Sequence, residues 1–296
     1  MSACRAAATL LALASTLALA ACGPGGKVDI KLPVKLPFGA PAFDHDQLES
    51  AIDNSFGGVG VCVVIDDTAS GRQVYRYNAP STCMLRLPPC ETFEIANDLI
   101  GLDAGLATPQ TRFKWDGTPQ PVKAWEHDAD MKTAFRQSMT WWQQRVAEMA
   151  GAPLYQRELK DLDYGNRSHA GPLSGFWLGP SAGGGLAIST NEQASFLHRL
   201  YSGSLPVKPQ SLAYVEQLML DETRGGSIMS GKAGSCPSAQ DSSRQVSWWV
   251  GRLKTPKHDY VFAASTETPN DSSLPGVEIE RRVKSAFADA GLWPSA

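Results

Sequence analysis

The sequence predicts an α+β fold, within the broad α/β class, with one antiparallel sheet flanked by helices and a helical subdomain. Val-rich segments bounded by glycine-containing turns, typical of strands, occur near the start of the globular part and again near its end. Runs with helical periodicity fill the middle of the chain, and one more follows the last strand. Strands at both ends with helices between them favour a single antiparallel sheet and a helical insertion.

The opening strands are predicted from composition and turn chemistry. Residues 57–66 are rich in Val and predict the first strand. A Gly71-Arg72 turn follows, and residues 73–77 are expected to return as the hairpin partner of that strand.

The helical middle is predicted from four apolar runs. The first predicted helix spans residues 91–105, and Pro88-Pro89 ends the structural element that precedes it. The second, over 134–150, is expected to end at Gly151. Residues 190–201 open with the capping chemistry of Thr-Asn-Glu-Gln and predict the third helix. The fourth predicted helix spans 211–221.

The end of the chain predicts three strands and a last helix. The predicted strands are 227–235, 247–253 and 260–264, and the helix is 277–291. Residues 107–132 and 159–176 are expected to be irregular.

Composition excludes some classes of function. A chain of 296 residues can bury a large core, and its formal net charge is only -3. Without a basic run, the sequence gives no electrostatic signature of nucleic-acid binding. No Cys/His spacing matches a zinc site and the five histidines are scattered, so neither a metal nor a cofactor is expected.

The N-terminus predicts export. Residues 1–21 carry one basic side chain and an Ala/Leu-rich run, the pattern of a secretory signal peptide. Leu19-Ala20-Ala21-Cys22 resembles the lipobox of bacterial lipoproteins, which predicts lipidation of Cys22, a lipid-anchored tether over 22–42 and a folded domain over 43–296. Gly23, in place of Asp, favours a periplasmic protein anchored to the outer membrane. The alternative is an ordinary signal peptide with Cys22 unmodified.

Four cysteines remain once those of the signal region are set aside. They are Cys62, Cys83, Cys90 and Cys236, and an exported protein can hold them as disulfides. Three pairings are possible, and the sequence does not choose among them. Closing the short loop between Cys83 and Cys90 would be geometrically easy, so this pair is our prediction.

Six motifs, taken in order, carry a family resemblance. They are Pro89-Cys90-Glu91-Thr92-Phe93-Glu94-Ile95-Ala96-Asn97, Ser138-Met139-Thr140, Tyr164-Gly165-Asn166, Phe176-Trp177-Leu178, Ser230-Gly231-Lys232-Ala233-Gly234 and Trp248-Trp249-Val250-Gly251. From about residue 57 onward the chain resembles the class D (oxacillinase-type) β-lactamases, of the penicillin-recognising serine transferase fold. The resemblance implies a serine nucleophile, with a lysine general base three residues later.

The chain departs from that family where the chemistry should lie. Glu91 stands in place of the serine and Glu94 in place of the lysine, and no other Ser-x-x-Lys occurs in the chain. Two carboxylates near Lys232 are expected to neutralise the positive charge of the pocket that the family uses for substrate carboxylates. Glu91 is the expected ion-pair partner of Lys232.

Other motif positions are partly retained. Ala233 replaces a hydroxyl residue, Val277 stands where the family commonly has Arg, and Thr140 replaces Val. The resemblance implies a residual cleft, whose retained residues are Ser138, Tyr164, Trp177, Lys232 and Gly234.

Three functional hypotheses follow. The favoured one is a pseudoenzyme, a non-catalytic exported lipoprotein that binds a periplasmic protein or a peptidoglycan fragment. The second is a hydrolase with altered chemistry, in which Glu91 and Glu94 form a carboxylate pair. The third is a sensor or immunity-type lipoprotein that uses the fold only as a scaffold.

Overall fold

Six antiparallel strands form the central sheet, in the order β2-β1-β8-β7-β6-β5. The computed structural model describes residues 43–239 and 241–295. The strands of this sheet are β1 (Val61–Asp67), β2 (Gln73–Tyr77), β5 (Leu220–Arg224), β6 (Ser227–Pro237), β7 (Arg244–Lys254) and β8 (Asp259–Pro269). Strands β3 (Arg112–Phe113) and β4 (Ala129–Asp130) form a separate pair.

Helices cover both faces of the sheet. They are α1 (His45–Phe56), α2 (Pro80–Cys83), α3 (Glu94–Asp103), α4 (Met131–Gln137), α5 (Thr140–Asp161), α6 (Thr190–Tyr201), α7 (Pro209–Met219) and α8 (Gly276–Asp289). A 3₁₀ turn, Cys90–Phe93, leads directly into α3. The predicted fold class, an antiparallel sheet with flanking helices, is confirmed.

Two hydrophobic cores lie against opposite faces because side chains alternate along each strand. In β1, Val63 and Ile65 pack into the core that contains α1 and α8. Val64 of the same strand packs into the larger core, with the helices of the middle of the chain. The sheet therefore separates a terminal helix pair from the helical region that carries the candidate site.

Several element predictions need correction. The first strand begins at Val61, later than predicted, and α1 and β5 were not predicted at all. The helix predicted over 134–150 divides at Ser138, whose positive φ of 51° ends α4. The second part then continues past a kink at Gly151 to the end of α5.

The disulfide prediction was wrong. Cys83 pairs with Cys62 and Cys90 pairs with Cys236, each with a Cα–Cα distance of 5.5 Å. The physical reason is that Cys83 lies on a short helix that packs on β1, whereas Cys90 begins a turn that packs on β6. The second bond therefore ties the turn that carries Glu91 to the strand that carries Lys232.

The predictions for the N-terminus lie outside the described residues. The signal peptide, Cys22 and the tether all fall within 1–42. Within the described part, no helix is both long and apolar enough to cross a bilayer.

Candidate functional site

The 3₁₀ turn rests directly on β6. The Cys90–Cys236 bond joins them, and Gly234 permits the close approach of the two backbones. A Cβ atom on Gly234 would lie 2.9 Å from the amide nitrogens of Glu91 and Thr92. Because both obstacles are main-chain atoms, a larger residue would force the turn and the strand apart.

Glu91 is partly buried at this contact. Its Oε2 accepts a hydrogen bond from the Ser235 amide at 2.6 Å. Burial raises the pKa of Glu91 above its ordinary value, while Lys232, the Ser235 amide and the Glu91 amide act in the opposite direction. The carboxylate is thus held by main-chain donors of the turn and of β6.

Glu94 lies in the interior at the start of α3. Its side chain is 1% exposed, and its Oε2 lies 3.1 Å from Lys232 Nζ, which is also buried. Burial raises the pKa of Glu94 to about 8, and the attraction of Lys232 only partly offsets this. The expectation that Glu91 pairs with Lys232 was wrong, because Glu94, one helical turn further along, provides the ion pair.

Lys232 also contacts Ser138 and Phe135. Its Nζ donates to Ser138 Oγ at 2.5 Å and to the Ala233 carbonyl at 3.2 Å. The ammonium lies 5.4 Å from the centre of the Phe135 ring, within the range of a cation–π interaction. Ser138 reaches Lys232 because the chain turns sharply between α4 and α5.

Asp98 is a third buried acid, which the sequence motifs did not reveal. It follows Glu94 by one helical turn and is 0% exposed. Burial first, and the neighbouring Glu94 second, raise its pKa well above the ordinary range, partly offset by Gln143 and Lys232. The i, i+4 spacing of Glu94 and Asp98, which places both acids on one face of α3, was the signal that could have identified it.

An adjoining polar network surrounds Asn97. Its amide donates to the Gln143 carbonyl at 3.1 Å and to the Gln143 side chain at 2.7 Å, and Tyr155 donates to its side-chain oxygen. All three side chains are buried, so these bonds fix α3 against α5.

The motif aromatics Tyr164 and Trp177 pack around Phe93. The centroid of the Phe93 ring lies 5.6 Å from that of Tyr164 and 5.4 Å from that of Trp177. Both motif side chains are almost completely buried. They therefore support the turn from within, and neither presents its ring to a ligand.

A cleft of about 320 Å³ opens beside Ser138 and Lys232. Apolar side chains on its wall include Phe135, Leu220, Trp249 and Val277. Val277, at the position where the resemblance implies an anion-binding Arg, is 67% exposed. Neither Glu91 nor Glu94 is among the residues that line this cleft.

At the turn, Glu91 and Glu94 present carboxylates and not the hydroxyl and amine of serine-based acyl transfer. Such a reaction needs a hydroxyl or thiol nucleophile within reach of a base. Glu91 instead accepts a main-chain hydrogen bond, and Glu94 is an enclosed partner of Lys232. In the described part of the chain, no three His, Cys, Asp or Glu side chains are grouped as metal ligands.

Sequence comparisons identify relatives of this chain. A family model for the penicillin-binding protein transpeptidase domain matches residues 60–283. The β-lactamase OXA-20 of Pseudomonas aeruginosa is 32% identical over 218 residues, which cover 73% of this chain and 77% of that protein. The β-lactamase OXA-48 of Klebsiella pneumoniae is 34% identical over 187 residues, covering 63% and 68% of the two chains.

Structural comparison agrees with these relatives. FUS-1 (OXA-85), a class D β-lactamase from Fusobacterium nucleatum subsp. polymorphum, superposes with a TM-score of 0.74 at 25% identity, covering 84% of this chain and 99% of that one. The sheet order, the six motifs and these matches lead to one conclusion. The chain belongs to the penicillin-binding protein transpeptidase domain family and, within it, to the class D β-lactamase family.

Proposed function

We propose that this chain is a non-catalytic, exported member of its family, anchored by a lipid on Cys22 to the periplasmic side of the outer membrane. In this proposal, the cleft beside Ser138 and Lys232 binds a periplasmic protein or a peptidoglycan fragment without forming a covalent bond to it.

The contacts of the two glutamates carry the proposal. Glu91 stands at the nucleophile position and its carboxylate is held by the Ser235 amide, while Glu94 stands at the base position and is paired with Lys232. A carboxylate that attacked an amide would form a reactive mixed anhydride and would have to expel an amine. Such a group is poorly suited to replace a serine that forms an ester.

Charge supports the same conclusion. The ammonium of Lys232 is already engaged, because Glu94 lies 3.1 Å from it and Ser138 accepts its hydrogen bond. A ligand carboxylate directed at Lys232 would have to compete with Glu94 for the ammonium, and it would find Val277 where the family commonly has Arg. The cleft wall combines apolar side chains with Arg136, Asp221 and Glu280, which suits a ligand that has both polar and apolar parts.

The alternative, a hydrolase that uses the glutamates as an acid/base pair, is less well supported. A raised pKa of the kind that Glu94 shows is a feature of catalytic acids. However, a catalytic acid must reach its substrate, and the Glu94 side chain is 1% exposed and does not line the cleft.

Covalent labelling with a fluorescent penicillin tests the absence of catalysis. The purified wild-type protein is expected to remain unlabelled after gel electrophoresis under denaturing conditions. The Glu91→Ser/Glu94→Lys variant restores the residues of the family motif and serves as the matched comparison, with Glu91→Ala/Glu94→Lys as its control without a hydroxyl. Labelling of the wild type would contradict the proposal.

Affinity capture from detergent-solubilised envelope tests the binding role. Val277→Asp places a charge on the exposed wall of the cleft, and Met149→Asp is its control, since Met149 is exposed but does not line the cleft. The proposal predicts a protein or peptidoglycan fragment that is retained by the wild type and by Met149→Asp, and lost with Val277→Asp. Equal recovery with both variants would contradict binding through the cleft.

A further inference from the structure

A second cavity, of about 370 Å³, is lined by arginines and shares no lining residue with the cleft. We call it the arginine pocket. Its charged lining residues are Arg86, Arg167, Arg199, Asp163 and Glu192. Three guanidinium groups face two carboxylates, so the lining carries one excess positive charge in a protein whose overall formal charge is -3.

The Tyr-Gly-Asn motif forms a rigid wall of this pocket. Gly165 has a φ of +52°, and a Cβ atom there would lie 2.2 Å from the Ala187 carbonyl oxygen. Asn166 donates to the Gly185 carbonyl at 2.8 Å and accepts from the Ala187 amide at 3.1 Å. These contacts fix the loop that presents the neighbouring Arg167, so the pocket exists before any ligand arrives.

Glu192 binds one edge of the Arg86 guanidinium, through Nε and Nη2. Its carboxylate accepts two hydrogen bonds from Ser189 at the start of α6, both at 2.9 Å, and also accepts from Arg86. Arg86 uses Nε and Nη2 for this contact, and Arg167 uses Nε and Nη2 toward Asp163. Within residues 43–239 and 241–295, Nη1 of each arginine has no hydrogen-bond partner.

Arg199 supplies the unbalanced charge. Its guanidinium donates to the carbonyls of Leu162 and Asp163 at 2.7 and 3.2 Å, and among the described residues no carboxylate oxygen lies within ion-pair distance of it. Partial burial lowers the pKa of Arg199, which is the response of a cation that lacks a strong anionic partner. Main-chain carbonyls hold its position without neutralising it.

From this geometry we propose that the arginine pocket binds a compact oxyanion, the carboxylate or phosphate group of a larger ligand. The Nη1 groups of Arg86 and Arg167 remain as charge-assisted donors for the oxygens of such a group, one from each guanidinium. Two sources in a bacterial envelope carry this chemistry, namely the carboxylates of peptidoglycan peptides and the phosphates of lipid headgroups. The choice of ligands rests on the proposed export, whereas the pocket itself shares no lining residue with the cleft.

Calorimetric titration of the full chain with inorganic phosphate, N-acetylmuramyl dipeptide and phosphatidylglycerol vesicles tests this site. At least one of these is expected to bind, with an affinity that falls as salt rises. Binding to the dipeptide alone assigns a carboxylate ligand, and binding to phosphate or vesicles alone assigns a phosphate. Absence of binding in all three titrations would overturn the proposal.

Variants connect binding to the pocket. Arg86→Gln/Arg167→Gln should weaken binding about tenfold or more, since each exchange removes a charge-assisted hydrogen bond. Arg167→Gln alone, whose partner Asp163 is solvent-exposed, provides a variant that keeps the fold if the double exchange does not. Arg157→Gln is the matched control, an exposed arginine paired with Glu158 outside the pocket. Unchanged affinity in folded Arg167→Gln and double variants would contradict the assignment.

Discussion

The buried Glu94 predicts that stability falls as pH rises from about 4.5 to about 8. Its pKa is about 8 in the folded protein and 4.5 for the unperturbed side chain. Between these values the folded state keeps a proton that the unfolded state has released, so unfolding releases protons. Raising the pH therefore favours the unfolded state, and the contribution of Glu94 to the free energy of unfolding declines through this window.

The size of the effect follows from proton linkage. One proton corresponds to a slope of at most about 1.4 kcal/mol per pH unit. The effect of Glu94 is best measured between about pH 6 and pH 8. The lower limit is the pKa of Asp66, about 6, and the upper limit is the pKa of Glu94, about 8. Because Glu94 is half ionised at its own pKa, the expected loss across this window is about 2 kcal/mol. Asp98, whose pKa is also raised, acts in the same direction.

Urea unfolding at a series of pH values measures this slope, with circular dichroism as the readout. Glu94→Gln is the matched variant, since it keeps the shape of the side chain but cannot ionise. Its free energy of unfolding should depend less on pH than that of the wild type, and Glu94→Gln/Asp98→Asn should flatten the curve further. Equal slopes for the wild type and Glu94→Gln between the two stated pKa values would refute the reasoning.

Three further predictions concern the turn and the anchor. Gly234→Ala should destabilise the protein by about 1–3 kcal/mol in urea unfolding, because the new Cβ would meet main-chain amides. Gly60→Ala is the control, since a Cβ at that position meets nothing within 4 Å. Equal losses of stability in the two variants would contradict the close packing of the turn on β6. Cys90→Ser/Cys236→Ser should lower the free energy of unfolding by about 2–5 kcal/mol, because it removes the disulfide between the turn and β6. Peptide mapping that found another cysteine pairing would contradict this disulfide. Cys22→Ser should abolish incorporation of labelled palmitate in a bacterial host, and retained label would contradict lipidation at this residue.

The sequence predicted the elements whose patterns are local. Strands such as β7 and β8 were recognised from β-branched and aromatic residues, although both extend beyond their predicted ends. Strand β5 was missed because its Leu-Asp-Glu-Thr-Arg sequence is polar, as suits an edge strand that is paired on one side only. The order of the motifs predicts that Glu91 and Glu94 occupy the nucleophile and base positions of the family, and this assignment stays a prediction.

Contacts between segments that are distant in the chain could not be predicted from the sequence. The pairing of Cys90 with Cys236 spans 146 residues and depends on how the turn packs on β6. Glu91 and Glu94 are only three residues apart, so the sequence does not decide which of them contacts Lys232. The answer depends on how deeply the first turn of α3 is buried. Asp98 was overlooked because an acid inside a helix is usually solvent-exposed, and its complete burial became evident only in the folded structure.

The absence of covalent chemistry at Glu91 is the central claim, and the mass of the intact protein tests it most directly. The wild-type protein is incubated with excess benzylpenicillin, quenched in acid and weighed by mass spectrometry. We expect a single species at the unmodified mass at every time point. A species heavier by one benzylpenicillin, mapped to the peptide that contains Glu91, would contradict the claim.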